Sequence, residues 1–167
     1  GLRTALYNYL FAKQHNGEII LSIEDTDQSR KVKGAVEQIL DVFKKVNIQF
    51  DECPKINEKV GPYFQSQRLE IYSSHIDKLI DSGHAYHCFC TAERLDGLRK
   101  ERQAKKESTK YDKKCLGLSS DEIKSKKREL PYVMRLNVRE NSVIEFDDMV
   151  RGKVVFNTSE IDDQVLL

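Results

Sequence analysis

Apolar positions follow two rhythms along the first third of the chain. Over residues 1–17, Leu2, Ala5, Leu6, Tyr9 and Leu10 fall at helical spacing with Lys13, and Asn16-Gly17 supplies a stop, which predicts a helix. Ile19, Ile20, Leu21 and Ile23 then form a nearly continuous apolar run, the pattern of a parallel strand buried on both faces. A helix leading so directly into such a strand is half of a β-α-β unit, whose first strand is expected upstream of Gly1. Val36, Ile39, Leu40 and Phe43 mark a second helix. A third is predicted from about Ser66 to Ser82, with Leu69, Tyr72, Ile76, Leu79 and Ile80 inward and Gly83 as its stop.

The pattern changes at Gly83. A short strand is predicted in 84–90, a helix after Thr91 as N-cap, another behind the serines at 119–120, and strands near 131–138, 142–146 and 153–156. The final 164–167 also reads as a strand. This predicts an α/β body over 1–82, a mixed α+β insertion over 83–160, and a return to the body in 161–167.

Composition narrows the class. No apolar run approaches the roughly 20 residues that span a bilayer, and the opening residues lack a secretion-signal pattern, so a soluble chain without membrane contact is expected. Net charge is only +1, but residues 94–128 hold 13 Lys and Arg against 6 acids, which leaves −6 elsewhere. A basic block on an acidic body suits a protein that meets a polyanion on one side; a solvated lysine-rich surface is the alternative. Cys88, Cys90 and Cys115 cluster in a chain without a signal peptide, which points to reduced thiols or a metal rather than disulfides. Cys53 stands apart as an ordinary thiol.

The most unusual chemistry follows the apolar run. Glu24, Asp25 and Asp27 crowd together at the carboxyl end of a predicted parallel strand, where open α/β sheets place their ligand crevice. They could face a cation or an ammonium group, or they could cap the next helix and pair with Arg30.

The stretches "RTALYNYLFAK" and "GEIILSIEDTDQSR" closely resemble the first half of the catalytic domain of class I glutamyl-tRNA synthetases of bacterial and mitochondrial type. "GPYFQSQRLEIY", "CFCTAERLDGLRKE" with "KYDKKC", and "DDQVLL" resemble later segments of that family in the same order, so the resemblance covers the chain. It implies an incomplete Rossmann-like nucleotide-binding fold with an inserted acceptor-stem-binding domain. It also implies ATP-dependent attachment of L-glutamate to tRNA(Glu) through glutamyl-adenylate, with ATP and Mg2+ as co-substrates, in a monomer. Glu24 takes the position that binds the amino group of glutamate. Asp25 and Asp27 are expected to organise the loop, Asp27 near the tRNA terminus, with Arg30 beside them or on a phosphate. "EDTD" favours glutamate over glutamine, whose enzymes usually carry an Asp-Asp-Thr-Asn type sequence there.

The same resemblance makes Arg94, Arg99, Lys100, Arg102, Lys105 and Lys106 candidates for the tRNA acceptor end. Tyr86 and Tyr111 are candidates for base stacking or for burial. In some members of the family the cysteine spacing holds a structural zinc, for which Tyr111, His84 or His87 would complete the shell of Cys88, Cys90 and Cys115; buried thiols are the alternative. Position 117, where a zinc-binding member can carry His, is Gly.

The family's HIGH-type motif would end at Gly1 and its KMSKS-type loop would follow Leu167, so the 167 residues alone are expected to be inert, with no catalytic residue of their own. Details around Cys88–Cys90 and Tyr111–Cys115 point to the mitochondrial matrix, with bacterial cytoplasm as the alternative. Two other readings compete: a paralogue that attaches glutamate to queuosine in tRNA(Asp), and a non-catalytic tRNA-binding module.

Overall fold

The computed structural model describes residues 1–27, 32–54, 56 and 59–167. They form two compact units, Gly1–Ile71 and Tyr72–Leu167. Among the described residues no helix is long and apolar enough to cross a membrane.

In the first unit, α1 (Leu2–Gln14) and α2 (Ala35–Lys45) flank an extended segment over 18–25. α1 ends as its sequence predicts, with Asn16 in the left-handed region and the Gly17 amide donating to the Ala12 carbonyl at 2.8 Å. α2 starts after Gly34 at φ 78, and turns Phe43 into the core, where its ring meets Phe50 edge-on at 5.0 Å. Ile19, Ile48, Cys53 and Tyr63 complete that core.

The segment 19–23 is parallel to its partners, as predicted, but is not covered on both faces. Ile20 pairs with Glu52 and Ile23 with Phe64 as isolated parallel bridges, and Ile20 remains 46% exposed. Its described partners lie along one edge, and a groove of about 880 Å3 lined by Leu2, Ala5, Ile20, Ile39 and Phe50 runs along the segment. The apolar stripe of α1 accordingly stays open, with Leu2, Leu6 and Leu10 all exposed.

One buried carboxylate ties the two partner segments together. Glu52 accepts the Leu21 amide on its carbonyl at 2.9 Å, while its side chain accepts from the Tyr63 hydroxyl and the Val60 amide. Tyr63 in turn accepts the Ile23 amide on its own carbonyl at 2.8 Å. A carboxylate only 3% exposed is tolerable because these donors replace water.

The third helix, α3 (Leu69–Asp81), is preceded by a 3-10 turn at Gln65–Gln67, and the division between the units falls within it. It ends in a Schellman arrangement: Gly83 sits at φ 73, its amide donates to Ile80 and the His84 amide to Leu79.

In the second unit, β1 (Ala85–Cys88) pairs antiparallel with β2 (Val133–Leu136), and 164–167 adds to the other edge of β2 through the Met134, Leu136 and Leu166 amides. α4 (Ala92–Ala104) is capped by Thr91, and α5 (Ser120–Glu129) by a Ser119–Glu122 capping box. A separate hairpin, β3 (Val143–Asp148) and β4 (Gly152–Asn157), stacks Phe146 on Phe156.

The centre of this unit is polar. Asp163, 2% exposed, accepts the Tyr86 hydroxyl at 2.6 Å and the Val138 amide at 3.1 Å, and pairs with Lys113 at 3.4 Å. Arg135, inward on β2, donates to the Asp163 carbonyl at 2.8 Å and lies 4.3 Å over the Tyr111 ring. Burial, reinforced by the Asp163 hydrogen bond, pushes the Tyr86 hydroxyl well above the usual tyrosine range, so it serves as a permanent donor. Tyr86→Phe removes that donor from a buried acceptor and is expected to cost about 1–3 kcal/mol in chemical denaturation; an unchanged midpoint would show that Asp163 needs no such partner.

Candidate functional site

The acidic turn of the first unit is built from backbone pairing outward. The Ile23 amide donates to Tyr63 and the Gln65 amide to the Ile23 carbonyl at 2.9 Å, so residues 23–25 run alongside 63–66. Successive side chains of an extended segment point to opposite sides. Asp25 is turned to the 3-10 turn, accepting the Ser66 amide at 2.8 Å on Oδ1 and the Ser66 hydroxyl at 2.6 Å on Oδ2. Glu24 is exposed and borders both the 880 Å3 groove and a second cavity of about 610 Å3 that runs past Asp27, Lys33 and Gly34. Asp27 is exposed on that second cavity, and Arg30 lies outside the described residues.

The six basic candidates of the second unit do not form one free face. Arg94 makes a two-pronged ion pair with Asp112 and also donates to the Cys90 sulfur at 3.4 Å. Arg102 donates to the Ser108 and Lys110 carbonyls, fastening the end of α4 to the loop beyond it. Arg99 pairs with Asp96 and Lys105 with Glu101, both along the helix and both exposed. Lys100 and Lys106 are exposed and form no ion pair among the described residues. Spacing in sequence located the basic stretch, but Arg94 and Arg102 answer to an acid and to carbonyls that only the fold brings near.

The thiols do converge. Sγ atoms of Cys88, Cys90 and Cys115 all lie within 4.8 Å of one another, with Cys90 and Cys115 3.7 Å apart. The Tyr111 hydroxyl lies 3.4 Å from Cys88, 3.3 Å from Cys90 and accepts the Cys115 amide at 3.2 Å. Tyr86 and Tyr111 are both buried, so of the two roles open to them burial is the one adopted. His87 projects to the opposite face of β1, against Phe89 and Tyr132, and the His84 ring meets Ser82. Of Tyr111, His84 and His87, Tyr111 is thus the one whose polar atom joins the three sulfurs.

Electrostatics separates Cys88 from Cys90. Burial opposes ionising Cys88, but hydrogen bonds with Tyr111, the Cys90 backbone and Arg135 outweigh it and hold this thiol below its usual range. Burial raises Cys90, and burial followed by the neighbouring sulfurs raises Tyr111 well beyond the usual tyrosine range.

Sequence reading did not single out Ser66, Arg135 or Asp163. Arg135 carried a usable signal, a charge among the apolar residues of a predicted strand. Ser66 carried none, since its partner lies 41 residues away.

Comparison with known proteins supplies what geometry alone does not. A family model described as the catalytic domain of class I tRNA synthetases (E and Q) matches residues 1–167. The glutamate–tRNA ligase of Clostridioides difficile strain 630 is 51% identical over 175 residues, covering 99% of this chain and 36% of that protein. That of Finegoldia magna is 43% identical, covering 100% and 36%. A crystal structure of a glutamate tRNA ligase from Elizabethkingia meningosepticum, in complex with its amino acid, is 36% identical with a TM-score of 0.87, covering 99% of this chain and 35% of that one. The chain therefore spans about a third of the length of these relatives. All are bacterial, so the mitochondrial expectation finds no support among them. The chain belongs to the family of class I tRNA synthetase catalytic domains for glutamate and glutamine.

Proposed function

We propose that this chain is part of a glutamate–tRNA ligase, which joins L-glutamate to tRNA(Glu) at the expense of ATP through glutamyl-adenylate. The observation that carries the reading is Glu24, exposed between two cavities in a chain about half identical to a glutamate–tRNA ligase. Its carboxylate makes a charge-assisted hydrogen bond to the substrate's ammonium group and holds the amino acid for attack on the ATP phosphorus. Residues 1–82 form part of the catalytic body and 83–160 the acceptor-binding insertion, with 161–167 leading back. Asp27 serves the tRNA terminus, a role the family resemblance also gives Arg30, which is outside the described residues. Mg2+ accompanies ATP, the protein is a monomer, and its place is the bacterial cytoplasm.

In the insertion, Lys100 and Lys106 are the cations best placed for RNA phosphates, because Arg94, Arg99, Arg102 and Lys105 already hold protein partners. The donor set at the thiols fits a structural zinc: Cys88, Cys90 and Cys115 would hold it with the Tyr111 oxygen, and the nearby Arg135 cation offsets the charge of three thiolates. Bound there, zinc would cross-link the strand end, the loop at 111 and the loop at 115 without taking part in the chemistry.

In the full-length protein, Glu24→Gln is expected to raise KM for glutamate about 10–100-fold with KM for ATP little changed; an unchanged glutamate KM would remove Glu24 from the amino-group site. Replacing Lys100 and Lys106 together by Ala is expected to weaken tRNA binding and flatten its salt dependence by about one to two log units per log unit of salt. An unaltered slope would return these lysines to the solvated surface. Elemental analysis of protein purified without chelator is expected to find about one zinc per chain, lost in Cys115→Ser; metal-free wild type of full stability would establish buried thiols instead.

A further inference from the structure

We propose that Asp25 and Ser66 form a latch that positions Glu24, a role that rests on the reading of Glu24 as the amino-group ligand. Two independent ties hold the acidic turn. On one side of Glu24, Ile23 is fixed through both its amide and its carbonyl to Tyr63 and Gln65. On the other, both carboxylate oxygens of Asp25 are engaged by one residue, the Ser66 amide and hydroxyl. Glu24 lies between these anchors with its backbone held at each end and its side chain on the cavity side.

Physical chemistry makes this a positioning device more than a stabilising one. Ser66 is exposed, so loss of its hydroxyl strands no buried group and has little effect on global stability. Without the latch, the Asp25 side of Glu24 loses both of its hydrogen bonds to Ser66. A carboxylate that must meet an ammonium at hydrogen-bond distance tolerates little displacement, and a shift of about 1 Å can cost orders of magnitude in rate. Asp25 and Ser66 themselves touch no substrate in this scheme; they act through Glu24.

The test is a double-mutant cycle in the full-length protein, read by the kinetics of tRNA charging and by thermal unfolding. Ser66→Ala is expected to raise KM for glutamate about tenfold while KM for ATP and the unfolding temperature stay near wild type. Asp25→Ala is expected to raise it at least as much, and the double variant no further than Asp25→Ala alone. Ser66→Thr, which keeps the hydroxyl, restores the wild-type glutamate KM. Unchanged glutamate KM in Ser66→Ala, additive effects in the double variant, or a uniform loss of kcat, ATP binding and thermal stability would each overturn the latch while leaving Glu24 as ligand. A wild-type protein that charges no tRNA with glutamate would overturn the ligase reading and the latch with it.

Discussion

A carboxylate withdrawn from water must find donors, and each unit is organised around one that has done so. In the first unit Glu52 collects the Tyr63 hydroxyl and the Val60 amide while its own carbonyl takes the Leu21 amide. Those bonds lock the two partners of the extended segment to each other, and the segment then presents Glu24 to the groove and Asp25 to Ser66. In the second unit Asp163 gathers Tyr86, Val138 and Lys113, and its carbonyl holds Arg135. The buried arginine then stands over Tyr111 and beside Cys88.

These two frames explain why the chemistry sits where it does. Glu24 needs no cluster of its own to be precise, because the bonds that fix it belong to its neighbours. The thiols likewise do not gather by apolar packing alone. Hydrogen bonds with Tyr111 and Arg135 hold the Cys88 thiol below its usual range against the effect of burial, while burial raises Cys90.

Much of this was legible in the sequence, and the failures have physical causes. Helical spacing placed α1 and α2, the Thr91 and serine caps announced α4 and α5, Gly83 marked the end of α3, and the apolar run at 19–23 announced a parallel segment. Among the described residues that run is covered only in part, with Ile19 buried and Ile20 open to a groove. The cysteine cluster was foreseen from three residues of one type, and the fold brings them together. The basic stretch was found but its free charge was overcounted, since Arg94 and Arg102 answer to Asp112 and to carbonyls at 108 and 110. Ser66 was invisible for a general reason: a hydroxyl gains its role from a partner far along the chain.

The most direct measurement is the position of bound glutamate in a crystal structure of the full-length protein. The substrate ammonium is expected within about 2.7–2.9 Å of a Glu24 carboxylate oxygen, with the Asp25–Ser66 bonds intact. An ammonium held by other groups, with Glu24 turned to solvent, would contradict the claim that the paired segment exists to present this carboxylate.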